Sequence, residues 1–485
     1  MKLEKIIISN YKSIDNLEFE ISEINKSYTY SLIGINESGK SSILKAISLL
    51  DNEDDINYPQ DYFDEDKPIR LFFKYVPNDS EIKELIKELQ SKHKIDKEIL
   101  KELKINYLNI VVQYEPNNDT LKTTQEIIEF EKFIFDNFTE KDNIISKKGT
   151  EEKDLEDFDL QAFFSKNLAD YFWGISHSAV FWKSSPEYLI LDEIDLLSFS
   201  KTPKNVSIPL LNCFILSGIQ EKDIENEIKK LSSPIAINSL QSKLSELTTQ
   251  HINLVWPEHP ISITFQINND KISLLIEDNG VKYRPKTTSQ RSDGFRQFIS
   301  FLLTISVENH NKELENTILL VDEPETHLHP PAQINLLNEL IKITSNLNNN
   351  ILFFATHSNY LIDKNNLERS YKVFKKKNLR TSIEQIEKKC STFSEVNYEV
   401  FNISTSDYHN ELYGYLEFEE KTLLDELPKN KVWVHDKSKK EWKVSLSEYI
   451  RHSIHHPENK LNTKFCDKDL NNSIKILREL KEKIK

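Results

Sequence analysis

The chain contains the stretch Gly34-Ile35-Asn36-Glu37-Ser38-Gly39-Lys40-Ser41-Ser42, and this stretch decides the prediction of its fold. The residues before it, from Tyr28 to Ile33, predict a strand, and those after it, from Ile43 to Leu50, follow a helical pattern. The pattern G-x-x-x-x-G-K-S between a strand and a helix predicts a phosphate-binding loop. Its glycines let the backbone curl, so that N–H groups and the helix N-terminus face the phosphates.

The side chains of this loop have separate predicted roles toward ATP. The Lys40 ammonium supplies a positive charge toward the β- and γ-phosphates, and the Ser41 hydroxyl can bind Mg²⁺. The other candidate nucleotide-binding residues of the loop are Gly34, Asn36, Glu37, Ser38, Gly39 and Ser42. ATP and Mg²⁺ are therefore the expected cofactors.

Two further strands predict the rest of this site. Thr317 to Val321 is an apolar run that ends in Asp322 and Glu323. Asp322 can hold Mg²⁺ through its water shell, and Glu323 can polarise the attacking water as a general base. A third strand ends in His357, whose imidazole would reach the γ-phosphate. The stretch 188–193 also ends in acids, but it precedes Gly294, so we interpret it as a structural strand end.

The order of these motifs resembles the ABC-type ATPases of the RecF/SMC/OLD group. The chain has a Walker A loop (34–41), a signature-like stretch (291–297), a Walker B strand (318–323), a D-loop-like stretch (325–330) and a switch histidine after residue 356. In that family two heads sandwich ATP, and each signature loop caps the γ-phosphate of the other head. The resemblance implies an ATP-dependent homodimer or higher oligomer.

By this resemblance, Ser292 and Gly294 of the signature-like stretch would bind the nucleotide of the partner head. The stretch departs from the family at Asp293 and Phe295, where small residues are usual. The glutamine of the family's Q-loop has two candidates, which are Gln60 and Gln113. His327 and His329 fit a D-loop better than a metal site, because no cysteine is near them.

The predicted fold class is α/β: a P-loop ABC-type ATPase head with a mixed sheet flanked by helices, an inserted helical and strand lobe, and a C-terminal helical bundle. The expected head covers residues 1–75 and 260–375, and the inserted lobe covers 76–259. Linker strands are expected over 376–403, and a helical domain over 404–485.

The composition limits where such a protein would work. The chain has 485 residues and a formal charge of −15, so contacts with nucleic acid should be local. No run of about 18 apolar residues occurs, so we expect neither a membrane span nor a signal peptide. Its three cysteines lie far apart, which suits a reducing cytoplasm.

A second motif lies near the C-terminus, where the stretch Arg451-His452-Ser453-Ile454-His455-His456 resembles the R-x-x-x-x-H motif of HEPN ribonucleases. In those enzymes two paired motifs cleave RNA without metal. The resemblance implies that His456 acts as general acid or base on the attack by the ribose 2′-OH. Arg451 would stabilise the charge on the phosphate.

Three alternatives compete for this motif. The helix can place its cations at its own C-terminus and belong to a bundle that docks a partner. The stretch His455-His456-Pro457 with Asn459 suggests an HNH-like nuclease, although paired Cys-x-x-Cys motifs are absent from the sequence. His452, His455 and Cys466 suggest a structural zinc site.

Three hypotheses about function follow. The first is an ABC-type ATPase whose dimerisation controls a HEPN-like ribonuclease, as in bacterial anticodon nucleases that cut tRNA in anti-phage defence. The second is a regulatory ATPase that acts with a separate nuclease, effector or inhibitor protein, as in Septu-like or retron-linked defence ATPases. The third is a RecF-like DNA repair ATPase, against which the acidic balance of the chain argues.

Overall fold

The computed structural model describes the ranges 1–51, 56–92, 94–95, 107–116, 124–130, 138–141, 144–147, 171–183, 188–255, 260–280, 284–291, 293–308, 315–326, 328, 330–345, 349–386 and 392–484. These residues form two compact units. The first unit is made of Met1–Leu361 and Arg369–Ile386, and the second of Ile362–Glu368 and Glu387–Lys485.

The described chain contains both strands and helices. The strands are β1 (Lys2–Tyr11), β2 (Ile14–Glu20), β3 (Thr29–Ile33), β4 (Ile69–Val76), β5 (Lys94–Ile95), β6 (Leu108–Tyr114), β7 (Thr124–Phe130), β8 (Phe138–Lys141), β9 (Ile144–Lys147), β10 (Ser178–Lys183), β11 (Glu193–Asp195), β12 (Ile261–Asn268), β13 (Lys271–Asp278), β14 (Lys286–Thr287), β15 (Thr317–Asp322), β16 (Ile351–Thr356), β17 (Ser370–Lys375), β18 (Thr381–Gln385), β19 (Lys431–Val434) and β20 (Glu441–Val444). The helices are α1 (Lys40–Ser48), α2 (Asp79–Lys92), α3 (Leu196–Lys201), α4 (Pro203–Val206), α5 (Ile208–Leu216), α6 (Ile224–Lys229), α7 (Pro234–Val255), α8 (Asp293–Glu308), α9 (Pro330–Ile343), α10 (Phe393–Phe401), α11 (Ser406–Glu419), α12 (Lys421–Asp425), α13 (Leu446–His455) and α14 (Asp467–Ile484).

A mainly parallel sheet lies at the centre of the first unit. Among the described strands its order is β10-β15-β16-β3-β17-β18. Neighbours are parallel from β10 to β17, and β18 pairs antiparallel with β17. Strands β3 and β16 are buried along their whole length, as in a sheet covered on both faces. The chain leaves β3 through the phosphate-loop sequence and enters α1 at Lys40.

A second, antiparallel sheet of the first unit has the order β2-β1-β4-β6-β7. Its buried side chains form one apolar core with those of β3 and α1. Alternate residues of β4 are buried, since one face of this sheet packs inward and the other does not. The predicted α/β class, with a mixed sheet flanked by helices and with C-terminal helices, is confirmed.

A third group of elements forms its own core in the first unit. Strands β11, β12, β13 and β14 make an antiparallel sheet, and helices α3 to α8 contribute to the apolar cluster on it. The expected lobe over 76–259 includes part of this group. It also includes β6, which pairs with β4, and β10, which pairs with β15. The domain boundaries of the sequence analysis stay a prediction.

The second unit is a small helical bundle with a hairpin. Helices α11, α13 and α14 share a core that includes Leu412, Leu416, Ile450, Ile474 and Leu477. The hairpin of β19 and β20 carries Trp433, which packs with its ring against Tyr449 of α13. The sequence of this part predicts mostly helices, and the hairpin differs from that prediction. Among the described residues, no helix combines the length and the apolar composition of a membrane span.

Candidate active site

Three neighbouring parallel strands bring the predicted nucleotide-binding residues together. Strand β3 leads into the loop at Gly34, β15 ends at Asp322, and β16 ends just before His357. Because the carboxyl ends of parallel strands meet at one edge, the residues that follow these strands lie around a common cleft. The cleft has a volume of about 290 Å³. The described residues that line it are Ser13, Asn36, Glu37, Gly39, Lys40, Ser41, Ser42, Glu323, His357 and Lys375.

Lys40 is buried beneath its own loop. Its Nζ atom donates to the carbonyl oxygens of Gly34 at 2.9 Å and Ile35 at 3.1 Å, and lies 3.5 Å from Nδ1 of His357. Burial lowers the pKa of Lys40 to about 8, and the nearby carboxylates, Glu323 first, offset this in part. The ammonium is thus held in place by neutral acceptors, and no carboxylate contacts it directly in the described residues. A phosphate group fits this position.

Ser41 and Asp322 form the second part of the site. The Ser41 hydroxyl donates to Oδ1 of Asp322 at 3.0 Å. Burial raises the pKa of Asp322, and the Ser41 hydrogen bond opposes this rise. A buried carboxylate beside a hydroxyl is the donor set that Mg²⁺ takes in such loops, and the cation would relieve the desolvation of the carboxylate. The residues present therefore fit Mg²⁺.

The loop has one unsatisfied polar atom. The hydroxyl oxygen of Ser38 is buried and has no hydrogen-bond partner in the described residues. A buried hydroxyl without a partner is costly, and a bound ligand or water can supply the partner. Of the other predicted loop residues, Asn36, Glu37 and Ser42 face the cleft.

Glu323 and His357 contact each other at the mouth of the cleft. Nε2 of His357 lies 3.2 Å from Oε1 of Glu323. Burial lowers the pKa of His357, and the charge of Lys40 lowers it further. The imidazole is therefore mostly neutral at pH 7. Glu323 has a positive φ of 51°, and its N–H donates to the carbonyl of Ala355, so its backbone is held by the neighbouring strand.

Glu325 is a site residue whose role the sequence analysis did not predict. Its Oε1 atom accepts hydrogen bonds from the Thr356 hydroxyl at 2.7 Å and from the backbone N–H of His357 at 2.8 Å. Burial raises the pKa of this carboxyl group. Glu325 thus ties the turn after β15 to the end of β16 and positions His357. Its place three residues after Asp322 was the available signal.

A second group that the sequence analysis missed lies on the other side of the loop. Lys375 of β17 donates to the hydroxyl of Ser13 and, at 2.9 Å, to that of Thr381. Thr381 in turn donates to the carbonyl of Ser38 at 3.2 Å. Lys375 lines the cleft, and burial lowers its pKa. No local motif marks Lys375 and Thr381, because only the pairing of β17 with β3 and β18 brings them to the loop.

The signature-like stretch starts the helix α8. Nη1 of Arg291 makes two 2.8 Å contacts with the Asp278 carboxylate, and its guanidinium lies 4.8 Å from the centre of the Phe295 ring. Gly294 lies in the first turn of α8, whereas Ser292 lies outside the described residues. Nε2 of Gln297 donates to the carbonyl of Glu323 at 3.2 Å. The helix therefore contacts the Walker B turn of its own chain.

The remaining candidate positions of the first unit lie away from the cleft or outside the described residues. The expected strand end over 188–193 is wrong, because β11 begins only at Glu193 and residues 188–192 form no strand. Asp192 accepts from the N–H of Ser289 at 2.5 Å and so holds the segment before the signature-like stretch. Gln113 accepts from Nε of Arg70 at 2.5 Å, Gln60 is exposed, and neither is among the described residues that line the cleft. His327 and His329 of the D-loop-like stretch lie outside the described residues.

In the second unit, Arg451 faces helix α11. Its Nη1 atom donates to the side chain of Asn410 at 3.2 Å, and its Nη2 atom lies 3.8 Å from the Glu417 carboxylate. The guanidinium also lies 5.2 Å from the centre of the Tyr413 ring. One quarter of the side chain is exposed. Contacts within the bundle therefore cover most of the Arg451 side chain and leave part of it exposed.

His456 faces a different direction from Arg451. It follows the last residue of α13, its side chain is 56 % exposed, and Nδ1 lies 3.5 Å from the Glu458 carboxylate. It lines a pocket of about 350 Å³ beside the hairpin. Since Arg451 contacts α11 while His456 faces the hairpin, one chain does not bring the two residues of the motif to common neighbours.

The structure bears on two alternatives for this motif, which are the HNH-like nuclease and the zinc site. Asn459 of the HNH-like stretch is buried, and its side chain donates to the carbonyl of Val434 at 2.9 Å, so it holds the loop to the hairpin. In the described part of the chain, no three His, Cys, Asp or Glu side chains lie close enough to hold a metal ion. This includes His452, His455 and Cys466 of the zinc hypothesis.

Comparison with protein families gives one broad match. A family model described as AAA ATPase domain matches residues 1–362, which hold every predicted nucleotide-site residue. That range is about three quarters of the chain.

Three curated proteins are similar to shorter parts. An uncharacterized protein of Methanocaldococcus jannaschii is 28% identical over 168 residues, which cover 34% of this chain and 42% of that protein. Protein ea59 of Escherichia phage lambda is 30% identical over 192 residues, which cover 38% of this chain and 33% of that protein. Old nuclease of Escherichia phage P2 is 30% identical over 132 residues, which cover 26% of this chain and 21% of that protein. The chain thus spans less than half the length of each of these relatives.

Solved structures with a similar fold include heads of SMC proteins. An SMC head bound to the C-winged helix domain of ScpA has a TM-score of 0.41 and 13% identity, covering 80% of this chain and 98% of that one. The SMC head domain from Thermotoga maritima has a TM-score of 0.36 and 12% identity, covering 80% and 100%. The fold class rests on the sheet topology of the chain and on the family match.

Proposed function

Because this chain belongs to the AAA ATPase domain family, whose model matches residues 1–362, we propose that it binds ATP with Mg²⁺ and hydrolyses it in the cleft of its first unit. The observation that carries the proposal is the convergence of three strand ends on Lys40. Its buried ammonium contacts two loop carbonyls and the switch histidine, and no carboxylate contacts it in the described residues. A cation held in this way suits phosphate oxygens.

The loop residues have distinct roles in this proposal. The backbone from Gly34 to Ser42 surrounds the phosphates, and Lys40 neutralises charge on the β- and γ-phosphates. Ser41 and Asp322 hold the Mg²⁺ ion, whose chemistry is to neutralise charge on the phosphate oxygens.

Glu323 and His357 act on the side of the attacking water. Glu323 is half-exposed at the cleft and can accept a proton from a water molecule within its reach. His357, with its lowered pKa, is a neutral donor and acceptor that orients Glu323 through their 3.2 Å contact. Glu325 holds His357 in this orientation.

The test of this function is the Lys40→Ala variant. We expect it to lose ATP hydrolysis, measured as phosphate release, because the charge that contacts the phosphates is gone. Lys377→Ala removes an exposed lysine near β17 and serves as the control, with activity equal to the wild type. ATP hydrolysis by Lys40→Ala at the wild-type rate would contradict the assignment of the site.

We further propose that two heads pair around ATP. Asn36 and Glu37 of the cleft are exposed, and the family resemblance supports a partner head that covers the cleft through Ser292 and Gly294. Asp293 and Phe295 stand in this stretch where the family has small residues, and gel filtration of Glu323→Gln tests the pairing.

For the second unit we propose a HEPN-like, metal-independent ribonuclease that cleaves RNA, with tRNA as the first substrate to test. The observation that favours it is His456, which is exposed at the rim of a pocket. Because Arg451 and His456 of one chain face different elements, a complete site needs the arginine of a second copy, which pairing of the heads would supply.

His456→Ala is the variant that tests the ribonuclease proposal. We expect total RNA from cells that produce the wild type to show tRNA-sized fragments, and these fragments to disappear with His456→Ala while ATP hydrolysis is kept. Intact RNA with the active wild type would favour a regulatory ATPase that acts with a separate nuclease, effector or inhibitor protein. A RecF-like repair role would instead require DNA binding by the first unit.

The cellular role proposed for this ATPase is bacterial anti-phage defence in the cytoplasm. Its support is the resemblance of the two motifs to ATPases and ribonucleases of such systems. A plaque assay with cells that carry the wild type or Lys40→Ala tests it. Equal phage yields for both strains, across several unrelated phages, would contradict the role.

A further inference from the structure

The hairpin β19–β20, the end of α13 and the following loop form one surface, which we call the hairpin surface (residues 429–465). The side chain of Asn462 accepts from the N–H of Val434 and donates to its carbonyl, both at 2.9 Å. Asn459 donates to the same carbonyl, and the Tyr449 hydroxyl donates to the carbonyl of Thr463 at 2.7 Å. The loop is therefore fixed on the hairpin by hydrogen bonds at several points.

The charge of this surface is opposite to that of the whole chain. Residues 429–465 contain eight Lys against four Asp and Glu, a balance of +4 in a chain of −15, when Arg451, which faces α11, is left out. Among the described residues, Lys437, Lys440, Lys443, Lys460 and Lys464 are exposed and make no ion pair. By contrast, residues 406–426 on α11 and α12 contain seven acidic residues and one basic residue. A local basic surface on an acidic protein indicates a polyanionic partner.

The pocket in this surface has the lining of a base-binding site. Trp433 forms part of its wall, and Phe465 and the exposed imidazole of His456 add aromatic edges. Asn462 and Thr463 supply polar groups there, and Lys460 and Lys464 stand beside them. Its volume of about 350 Å³ lies in the range typical of small-ligand pockets. Aromatic and amide groups beside cations suit a base and its phosphate, whereas an acidic peptide or a membrane would need no such pocket.

We propose that the hairpin surface binds single-stranded nucleic acid, with one unstacked base in the Trp433–His456 pocket and the adjacent phosphates on Lys460 and Lys464. Single strands are favoured over duplexes because only an unpaired base can enter the pocket. This binding goes beyond ATP hydrolysis and stands whether or not the second unit cleaves RNA.

The test measures binding of a fluorescein-labelled RNA of about 12 nucleotides to the full chain by fluorescence anisotropy, at several KCl concentrations. The Lys460→Ala/Lys464→Ala variant is expected to bind about tenfold more weakly. It should also reduce the slope of log affinity against log salt by about 1.4, because each single-strand phosphate contact contributes about 0.7. Single-stranded DNA serves as a second probe, and binding of either strand type supports the proposal.

Two controls separate this site from general electrostatic attraction. Lys475→Ala/Lys483→Ala removes the same charge from exposed positions of α14 and should bind like the wild type. Ser453→Leu places a larger side chain in the pocket wall and should weaken binding with the salt slope unchanged. A nucleoside monophosphate should compete better than inorganic phosphate, which tests the pocket without any substitution. Lys40→Ala should bind as the wild type does, so that a failed ATPase proposal leaves this result intact.

Three outcomes overturn the proposal. The first is absence of binding by the wild type at low salt, and the second is equal weakening by both double-lysine variants. The third is duplex RNA binding more tightly than the single strand. If the chain binds no nucleic acid but forms salt-sensitive dimers that Lys460→Ala/Lys464→Ala abolishes, the surface meets the acidic helix α11 of a second copy instead.

Discussion

At the scale of single residues, burial sets the chemistry of the cleft. It lowers the pKa of Lys40 to about 8 and raises that of Asp322, because in both cases the charged form loses its hydration. Neither side chain has a compensating ion-pair contact in the described residues. Phosphate and Mg²⁺ would supply the missing opposite charges, so both groups are prepared for a ligand and cost stability without it.

The lowered pKa of Lys40 predicts how ATP binding depends on pH. Only the protonated amine attracts phosphate, and the amine loses its proton as the pH rises through about 8. Affinity for a non-hydrolysable ATP analogue, measured by calorimetry, should therefore fall above pH 8 and approach a tenfold loss for each pH unit, about 1.4 kcal/mol. Binding should also take up protons in this range.

The control for this pH dependence is Lys40→Arg, whose guanidinium stays charged. Its affinity, whatever the level, should be constant between about pH 7 and 9.5. A wild-type affinity that is equally constant would show that bound phosphate does not depend on the charge state of Lys40.

Lys375 is predicted to be a second cation for the nucleotide. It lines the cleft, and its described partners are the neutral hydroxyls of Ser13 and Thr381. Lys375→Ala should raise the KM for ATP roughly tenfold, with a smaller effect on kcat, because a phosphate contact in the ground state is lost. Lys377→Ala on the exposed turn is the matched control. A fall in kcat at unchanged KM would contradict this role.

At the scale of elements, close packing around the phosphate loop explains its glycines. Gly39 has a φ of 110°, and a Cβ atom there would lie 2.4 Å from the Thr381 hydroxyl. A Cβ atom on Gly34 would lie 2.3 Å from the carbonyl oxygen of Val373. Both obstacles come from β17 and β18, so the sequence pattern of the loop reflects strands more than 330 residues away.

The turn after β15 depends on Glu325 for its connection to β16. Glu325→Ala removes the acceptor of two hydrogen bonds, so the buried Thr356 hydroxyl and the His357 N–H lose the carboxylate to which they donate. The free energy of unfolding, measured with urea, should fall by about 1–3 kcal/mol. Glu315→Ala, at an exposed position before β15, should change it by less than about 0.5 kcal/mol. Equal stability of both variants would mean that the two hydrogen bonds of Glu325 add nothing measurable to the backbone pairing of β15 with β16.

At the scale of the whole molecule, each of the two units carries one of the proposed chemistries. The first unit contains the described residues of the proposed nucleotide cleft, and the second contains the Arg451 and His456 motif and the hairpin surface. An assembly of two paired heads would contain two nucleotide clefts and two copies of the Arg451 and His456 motif. This dependence on a second copy is a property that an assembly experiment can test.

Glu323→Gln tests the pairing of the heads. The variant keeps the groups that bind ATP and loses the proposed general base, so the ATP-bound form should accumulate. In gel filtration with ATP and Mg²⁺ we expect it to elute as a dimer, while the Glu323→Gln/Lys40→Ala variant should elute at the same volume with and without ATP. Elution of Glu323→Gln at one volume in all conditions would reject ATP-driven pairing, with Asp293 and Phe295 as the first positions to change.

The α/β class and the nucleotide loop are legible in the sequence because they depend on local patterns. Apolar runs predict β3, β15 and β16, and a glycine-rich loop between a strand and a helix has few other uses. The roles of Gly34, Lys40, Asp322, Glu323 and His357 stay predictions, but their convergence at one sheet edge follows from parallel pairing, which the sequence pattern already implied.

Other features were decided by the tertiary structure alone. Lys375 and Thr381 reach the phosphate loop only because β17 lies beside β3, and Glu325 gains its role only because β15 lies beside β16. The different directions of Arg451 and His456 depend on which elements pack around α13. The hairpin surface likewise needs Asn459 and Asn462 to fix the loop. The physical reason is the same in each case: a contact between residues far apart in the chain leaves no periodic or spaced pattern within it.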